Sequence, residues 1–244
     1  MKQIILPIMA VSMLFISMLT SCKKSDKDTN TPYVCATCSS TPQGNPMYDN
    51  SANGLYKGIV IGSSGTIKFD INNSANAIIA TLVIDGDTAV LISQISAPPT
   101  GTYVSPFFGT MNGQPVSVTF EVNFDGSSPT ITSSNIPGHP NATFIIAKET
   151  STVVVRCFEG TYSNSHNENG TFNIIVSTIL KGWQGIYKES GTNNTTNISG
   201  SYVNNILYWG TGTTTEIATI NGDTFSGTFN DGSADVTVVG QRKL

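Results

Sequence analysis

Four cysteines, two histidines and a scatter of glutamates are the residues of this 244-residue chain whose types could do chemistry. Cys35 and Cys38 stand three apart in Tyr33-Val-Cys-Ala-Thr-Cys-Ser39. That spacing serves a thioredoxin-like redox pair, half of a zinc site, or a local disulfide. The redox use needs a strand-to-helix junction inside an α/β unit, and no helical pattern follows. A zinc site could be completed by Cys157 with His139 or His166, although structural zinc sites usually carry two paired motifs. A Cys35 to Cys38 disulfide asks only for an oxidising compartment and is the expected pairing, which leaves Cys157 unpaired in a buried strand.

The histidines offer little for catalysis. His139 lies in the stiff turn Ile136-Pro-Gly-His-Pro140 and His166 in Ser163-Asn-Ser-His-Asn-Glu168, and neither adjoins a Gly-x-Ser-x-Gly elbow or a His-Glu-x-x-His helix. Paired carboxylates could hydrolyse a glycoside, with Glu121, Glu149, Glu159, Glu168, Glu189 and Glu216 as candidates, but their spacing in space cannot be read from the chain. Asp85-Gly-Asp87 and Asn221-Gly-Asp223 offer oxygens on short turns as calcium loops would, and hairpin turn chemistry already accounts for them. No residue is assigned as catalytic, as a metal ligand or to a cofactor.

Aromatic residues say more. Trp183 in Lys181-Gly-Trp-Gln-Gly-Ile-Tyr187 and Trp209 in Ile206-Leu-Tyr-Trp-Gly210 both lie late in the chain, with Tyr202 and Tyr208 close by. On β scaffolds such rings stack on sugars or line a barrel mouth, and in alternating strands one of each pair must face the core. Trp183, Tyr202, Tyr208 and Trp209 are the residues expected to meet a ligand.

The amino terminus carries an address. Met1-Lys2 leads into an apolar run from Ile4 to Leu19 that is too short for a spanning helix, is broken by Pro7, and gives way to Lys23, Lys24, Asp26, Lys27 and Asp28. The junction Leu19-Thr20-Ser21-Cys22 resembles the lipobox of bacterial lipoproteins. That resemblance implies acylation of Cys22, removal of residues 1–21, and attachment to a membrane through several acyl chains, since one chain alone is marginal. Lys23 in the place where inner-membrane lipoproteins often carry aspartate implies the outer membrane, and the mixed lysine and aspartate run is similar to signals that send lipoproteins to the cell surface.

The elements that must position these groups are strands. Val116, Val118, Phe120, Val122 and Phe124 alternate with Ser117, Thr119, Glu121 and Asn123, the period of a strand with one buried face. Ile67, Phe69 and Ile71 repeat it, as do Ile78, Ala80, Leu82 and Ile84, and Phe172, Ile174 and Val176. The dipeptides Asp85-Gly86, Asn112-Gly113, Asp125-Gly126, Asn169-Gly170, Asn221-Gly222 and Asp231-Gly232 tolerate the positive φ of two-residue hairpins, which predicts antiparallel sheets. The chain is therefore expected to be all-β, a barrel-like or sandwich arrangement of hairpin-linked strands. Gly54-Leu-Tyr56 with Gly65-Thr-Ile67 is echoed by Gly160-Thr-Tyr162 with Gly170-Thr-Phe172, and Phe107-Phe-Gly-Thr-Met-Asn112 by Phe225-Ser-Gly-Thr-Phe-Asn230, suggesting duplication. The expected parts are a signal peptide over 1–21, a flexible tether over 22–53 rich in Pro, Ser and Thr, and two β halves of some eight strands each over 54–157 and 158–244.

Charged residues make up only 11% of the chain and the net charge is −4, without the basic block that would hold a nucleic acid. The leading expectation is a lipid-anchored outer-membrane or cell-surface β protein with a non-catalytic binding role toward a glycan, a small apolar molecule or a protein. Two alternatives are a surface hydrolase of polysaccharide or peptide, and an accessory subunit of an outer-membrane complex that would show an exposed apolar patch.

Overall fold

Positive φ at the predicted turns is what folds the alternating segments back on themselves. Asp85 and Gly86 take φ 51° and 87°, and Asn112 and Gly113 take 51° and 76°, so each pair forms a two-residue hairpin whose twist matches its strands. In the computed structural model, which describes residues 32–61, 64–74, 77–180 and 182–244, the result is an all-β protein of antiparallel strands. The expected signal segment over 1–21 and the expected acylation site Cys22 lie outside the described residues.

The first half forms one sheet from β1 (Gly54–Ile61), β2 (Gly65–Ile71), β3 (Ile78–Ile84), β4 (Asp87–Ile92), β5 (Tyr103–Met111), β6 (Gln114–Val122), β7 (Thr130–Asn135) and β8 (Thr143–Glu149). Its spatial order is β7-β6-β5-β4-β3-β2-β1-β8, so the last strand returns to pair with the first. The second half repeats this plan with β9 (Arg156–Asn164), β10 (Asn169–Ser177), β11 (Gly182–Glu189), β12 (Thr195–Gly200), β13 (Tyr202–Val203), β14 (Ile206–Tyr208), β15 (Glu216–Asn221), β16 (Thr224–Asn230) and β17 (Asp235–Arg242). Here the order is β12-β11-β10-β9-β17-β16-β15-β14-β13, and again the last strand pairs with the first. Each sheet is an up-and-down meander curled into a nearly closed barrel. The second is drawn together where its edges meet: Gly200 bridges Gly210, and Ser201 N–H donates to Gly210 O at 2.9 Å. A side chain on Gly200 would run into Tyr208 O, which is why glycine stands there.

An eight-stranded barrel is just wide enough to be filled by its own side chains. The first barrel is filled by Tyr56, Phe69, Tyr103, Phe107 and Phe120, all without exposed surface, with Phe69 stacked on Phe120 at 4.5 Å between centroids. Its two ends are covered. Ile136, from the loop after β7, is buried against this core at one end. At the other, Ala52 packs into the core and its carbonyl accepts from Tyr56 Oη at 2.9 Å, while Lys148 Nζ donates to Tyr48 O and Ser51 O.

The alternation expected for β6, β2 and β3 appears as buried inner faces, except that Phe124 lies past the end of β6 and is exposed. Two expectations are corrected. Asn169-Gly170 is not a turn but the start of β10, where Gly170 pairs with Tyr162 and a Cβ on Gly170 would meet both Lys188 O and the Tyr162 ring. Close approach, not positive φ, requires this glycine. β10 is also not half buried, since Asn173, Ile175 and Ser177 on its outer face are as buried as Phe172, Ile174 and Val176.

The reason is the seam between the barrels. Ile59 and Ala147 of the first barrel pack with Val155, Cys157, Ile175 and Ile186. Within the same region Lys57 Nζ lies 2.6 Å from Glu149 Oε2, both side chains almost fully buried. Asn173 donates to Val60 O at 2.9 Å. The first pair of sequence echoes falls on the opening two strands of each barrel, whereas the second falls on β5 and β16, which hold different places in the two meanders. What β5 and β16 share is local: Gly109 and Gly227 each lie against a neighbouring strand's carbonyl where no Cβ fits.

The described part of the expected tether is also corrected. From Tyr33 the chain belongs to the same compact unit as both barrels. Cys35 and Cys38 are joined by a disulfide, and Cys35 N–H donates to Asp223 Oδ2 at 2.9 Å. Gln43 N–H donates to Glu149 Oε1 at 2.8 Å, Asn45 N–H to Asn73 Oδ1 at 2.8 Å, and Asp49 accepts from Ser151. A segment poor in apolar residues is held by polar contacts with distant residues, which composition does not register.

Two outcomes follow from the seam. Lys57→Met strands a buried carboxylate and is expected to cost about 3–5 kcal/mol of unfolding free energy in urea titrations. Lys57→Met with Glu149→Gln should recover only part of that loss, because glutamine removes the charge but still has to serve Gln43 and Val155. Cys157 is a free thiol, and burial pushes its pKa up to about 12. At pH 8 a thiol reagent is expected to leave Cys157 unmodified in the folded protein and to modify it after addition of denaturant.

Candidate functional site

The second barrel differs from the first at one of its ends. Strand alternation turns Phe158, Gly160 and Tyr162 of β9 toward the interior, and Tyr162, last of the three, comes at the barrel's rim where β9 leads into its hairpin. Tyr187 near the end of β11 and Phe229 near the end of β16 arrive at the same rim. Trp209, just past β14, completes a ring of aromatic walls. The walls meet edge to face in two pairs, Tyr162 with Tyr187 at 5.6 Å and Trp209 with Phe229 at 5.9 Å. Below them Phe172, Ile217, Val236 and Val238 make an apolar floor.

The mouth encloses about 130 Å³. An apolar cavity of about 150 Å³ admits a molecule of benzene, so this one takes a single ring or a branched aliphatic group, not a large ligand in full. Its polar groups stand at the edge: Asn164, Glu168 and Asp231. Asn164 Nδ2 donates to Glu168 Oε2 at 2.7 Å, and Asn164 Oδ1 accepts from the Glu168 backbone N–H at 2.9 Å, which fixes the β9–β10 turn. The Asp231 carboxylate accepts from Ala234 and Ser233 N–H, which holds its pKa below the usual carboxylate range. Tyr162 is pushed the other way, first by burial and then by the negative neighbours Glu189 and Glu168.

Of the four rings expected to meet a ligand, Trp209 alone lines this mouth, at 44% exposure. Trp183 is 1% exposed, and its indole N–H donates to Tyr208 O at 3.0 Å, so it is a core residue of the far end and not a binding surface. Tyr208 contributes that carbonyl. Tyr202 borders a separate groove, where its hydroxyl accepts from Arg156 at 2.6 Å and donates to Asn205 at 2.7 Å. Tyr162, Tyr187 and Phe229 were missed by sequence reasoning. The usable signal was position: each is an inward aromatic within a few residues of the end of its strand, and the ends of inward faces are where a barrel mouth forms.

The other candidate chemistry is dispersed. Glu149 is engaged by Lys57, Glu216 accepts from Thr219, and Glu159 is half buried with its pKa raised by that burial. His139 lies 3.8 Å from Asp85 at the end of the first barrel, and His166 lies in the β9–β10 turn of the second. Of the two imagined calcium loops, Asp87 accepts from Asn112 and Asp223 from Cys35 and Arg242. Among the described residues, no group of three or more His, Cys, Asp or Glu is placed to hold a metal ion. On the outer face of the first barrel the strand register aligns Ile79, Ile92 and Phe108 in one row, with Ile92 56% and Phe108 61% exposed. Such a row is the feature an accessory subunit would present.

No protein family, curated protein or solved structure matches this chain, so its own geometry carries the functional argument.

Proposed function

We propose that this is a lipid-anchored β protein of the outer membrane or cell surface with a non-catalytic binding role, and that the open mouth of its second barrel is the binding site. The observation that carries the reading is the contrast between the two barrels. The first is filled by rings and covered at both ends, whereas the second leaves four aromatic walls around a cavity over an apolar floor. An apolar concavity with a few polar groups at its edge is the ordinary form of a small-ligand site. The size of the cavity makes the recognised element a ring or a branched group, free or at the end of a longer molecule.

What supports the anchor is the likeness of Leu19-Thr20-Ser21-Cys22 to a lipobox. Cys22→Ser is expected to abolish acyl labelling and to move the protein from the membrane fraction to the soluble one. If the variant stays in the membrane fraction, the anchor assignment is wrong.

Binding is tested by following the Trp209 indole N–H signal while adding small neutral and charged compounds of ring or branched shape. At least one is expected to shift it saturably, to leave the Trp183 signal in place, and at a hundred times its Kd to raise folding stability by about 2.7 kcal/mol. Trp209→Ala should remove the effect on stability. A panel in which nothing moves the Trp209 signal would sink the binding reading.

A further inference from the structure

The charged side chains that line this mouth are of one sign, and His166 of the β9–β10 turn stands outside the lining near Asp231. Among the described residues, none of those lining it is Lys or Arg, while Glu168 and Asp231 both stand at its edge. Asp231 is held ionised by the backbone N–H groups of Ser233 and Ala234, and these bonds go to Oδ1. Glu168 is anchored through Oε2. The walls themselves add to the field, because the face of an aromatic ring carries the negative part of its quadrupole, and rings of Tyr162, Tyr187, Trp209 and Phe229 surround the cavity. An anion entering here would meet carboxylates and ring faces with no cationic side chain among the lining residues. A neutral apolar group would fit by shape but would gain nothing from the carboxylates.

We infer that the mouth of the second barrel selects an organic cation, an alkylated ammonium group whose methyl surfaces pack between Tyr162, Tyr187, Trp209 and Phe229 while Glu168 and Asp231 supply the long-range attraction. A quaternary ammonium suits this arrangement better than an amine that carries N–H donors. Its charge is spread over methyl groups that contact ring faces, and it does not require hydrogen-bond acceptors inside an apolar cavity. The edge-to-face meeting of the wall rings leaves faces and edges turned different ways, so that a compact, near-spherical cation touches several of them at once. This inference rests on the reading of the mouth as a ligand site and adds the class of ligand.

The test compares choline with its neutral isostere 3,3-dimethylbutan-1-ol on the folded protein, reading the Trp209 indole N–H signal with that of Trp183 as internal reference. Choline is expected to bind about tenfold or more tightly than the isostere. Its Kd should rise with added sodium chloride while that of the isostere stays constant, since attraction by exposed carboxylates is screened. Glu168→Gln with Asp231→Asn preserves the acceptors that shape both turns and should reduce the preference severalfold and abolish its dependence on sodium chloride, with the residual preference held by the rings and the melting temperature nearly unchanged. Equal binding of the two compounds overturns the cation inference and leaves the ligand site standing. If neither compound moves the signal and other neutral rings do, the inference falls and the site reading survives; if nothing moves it, both fall.

Discussion

Glu149 is where the parts of this molecule are tied together. It ends β8 of the first barrel, pairs with Lys57 of β1, accepts from Val155 on the connection into the second barrel, and accepts from Gln43 on the segment before the first strand. A carboxylate taken out of water is costly unless its lone pairs are satisfied, and here one cation and two backbone donors do so. Each of those partners belongs to a different stretch of chain. The pair therefore acts less as a source of net stability than as a constraint: the charge can be accommodated only when barrel, connection and leading segment are all in register. Asn173 repeats the device across the seam with a neutral amide, joining Gly160 of β9 to Val60 of β1.

That seam decides which end of which barrel remains available. Because β9, β10 and β11 press their outer faces on the first barrel, much of the second barrel's outer surface is committed to packing, and its freedom lies at its ends. At the far end Trp183 is bonded to Tyr208 O and the leading segment lies close, with Cys35 held by Asp223 and Ser39 O bonded to Arg242. At the near end, among the described residues, no comparable cover reaches over Trp209 and Phe229. The same leading segment covers an end of the first barrel through Tyr48, Ser51 and Ala52. A stretch that reads as a spacer in the sequence thus bonds to one end of each barrel, and among the described residues makes no such bond at the end that carries the aromatic walls.

Most of the fold was legible because strand alternation is a strong local signal. Val116 to Val122 could hardly be anything but a half-buried strand, and Asp85-Gly86 and Asn112-Gly113 could hardly be anything but hairpins. What was not legible depends on neighbours far away in sequence. Gly170 looks like a turn residue beside Asn169, yet it is a strand position emptied to let the Tyr162 ring and the β11 backbone come close. β10 has the pattern of a half-buried strand, and only the presence of the first barrel makes its second face interior. Residues 33–53 are poor in apolar side chains, and much of their order comes from hydrogen bonds with Asn73, Lys148, Glu149, Ser151, Asp223 and Arg242, all far away in the sequence.

The site was legible in kind and not in membership, and the two tryptophans show why. Both sit in glycine-flanked strand ends of the same barrel, and residue type does not separate them. Trp183 begins its strand at the end that the chain covers, where a buried indole must find an acceptor and takes Tyr208 O. Trp209 follows its strand at the end left open, and lines the cavity there. The distinction depends on which end of the barrel a residue occupies, and that follows from the direction in which each strand runs. Reading it would have required the full meander order, after which Tyr162, Tyr187 and Phe229 fall beside Trp209 by counting alternate residues toward the same rim. The negative edge then follows from turn chemistry, since Asp231 accepts from the backbone of its own β16–β17 turn, and Glu168 accepts from the Asn164 amide that caps the β9–β10 turn. Residues selected to make tight turns thereby also set the sign of the field at the mouth.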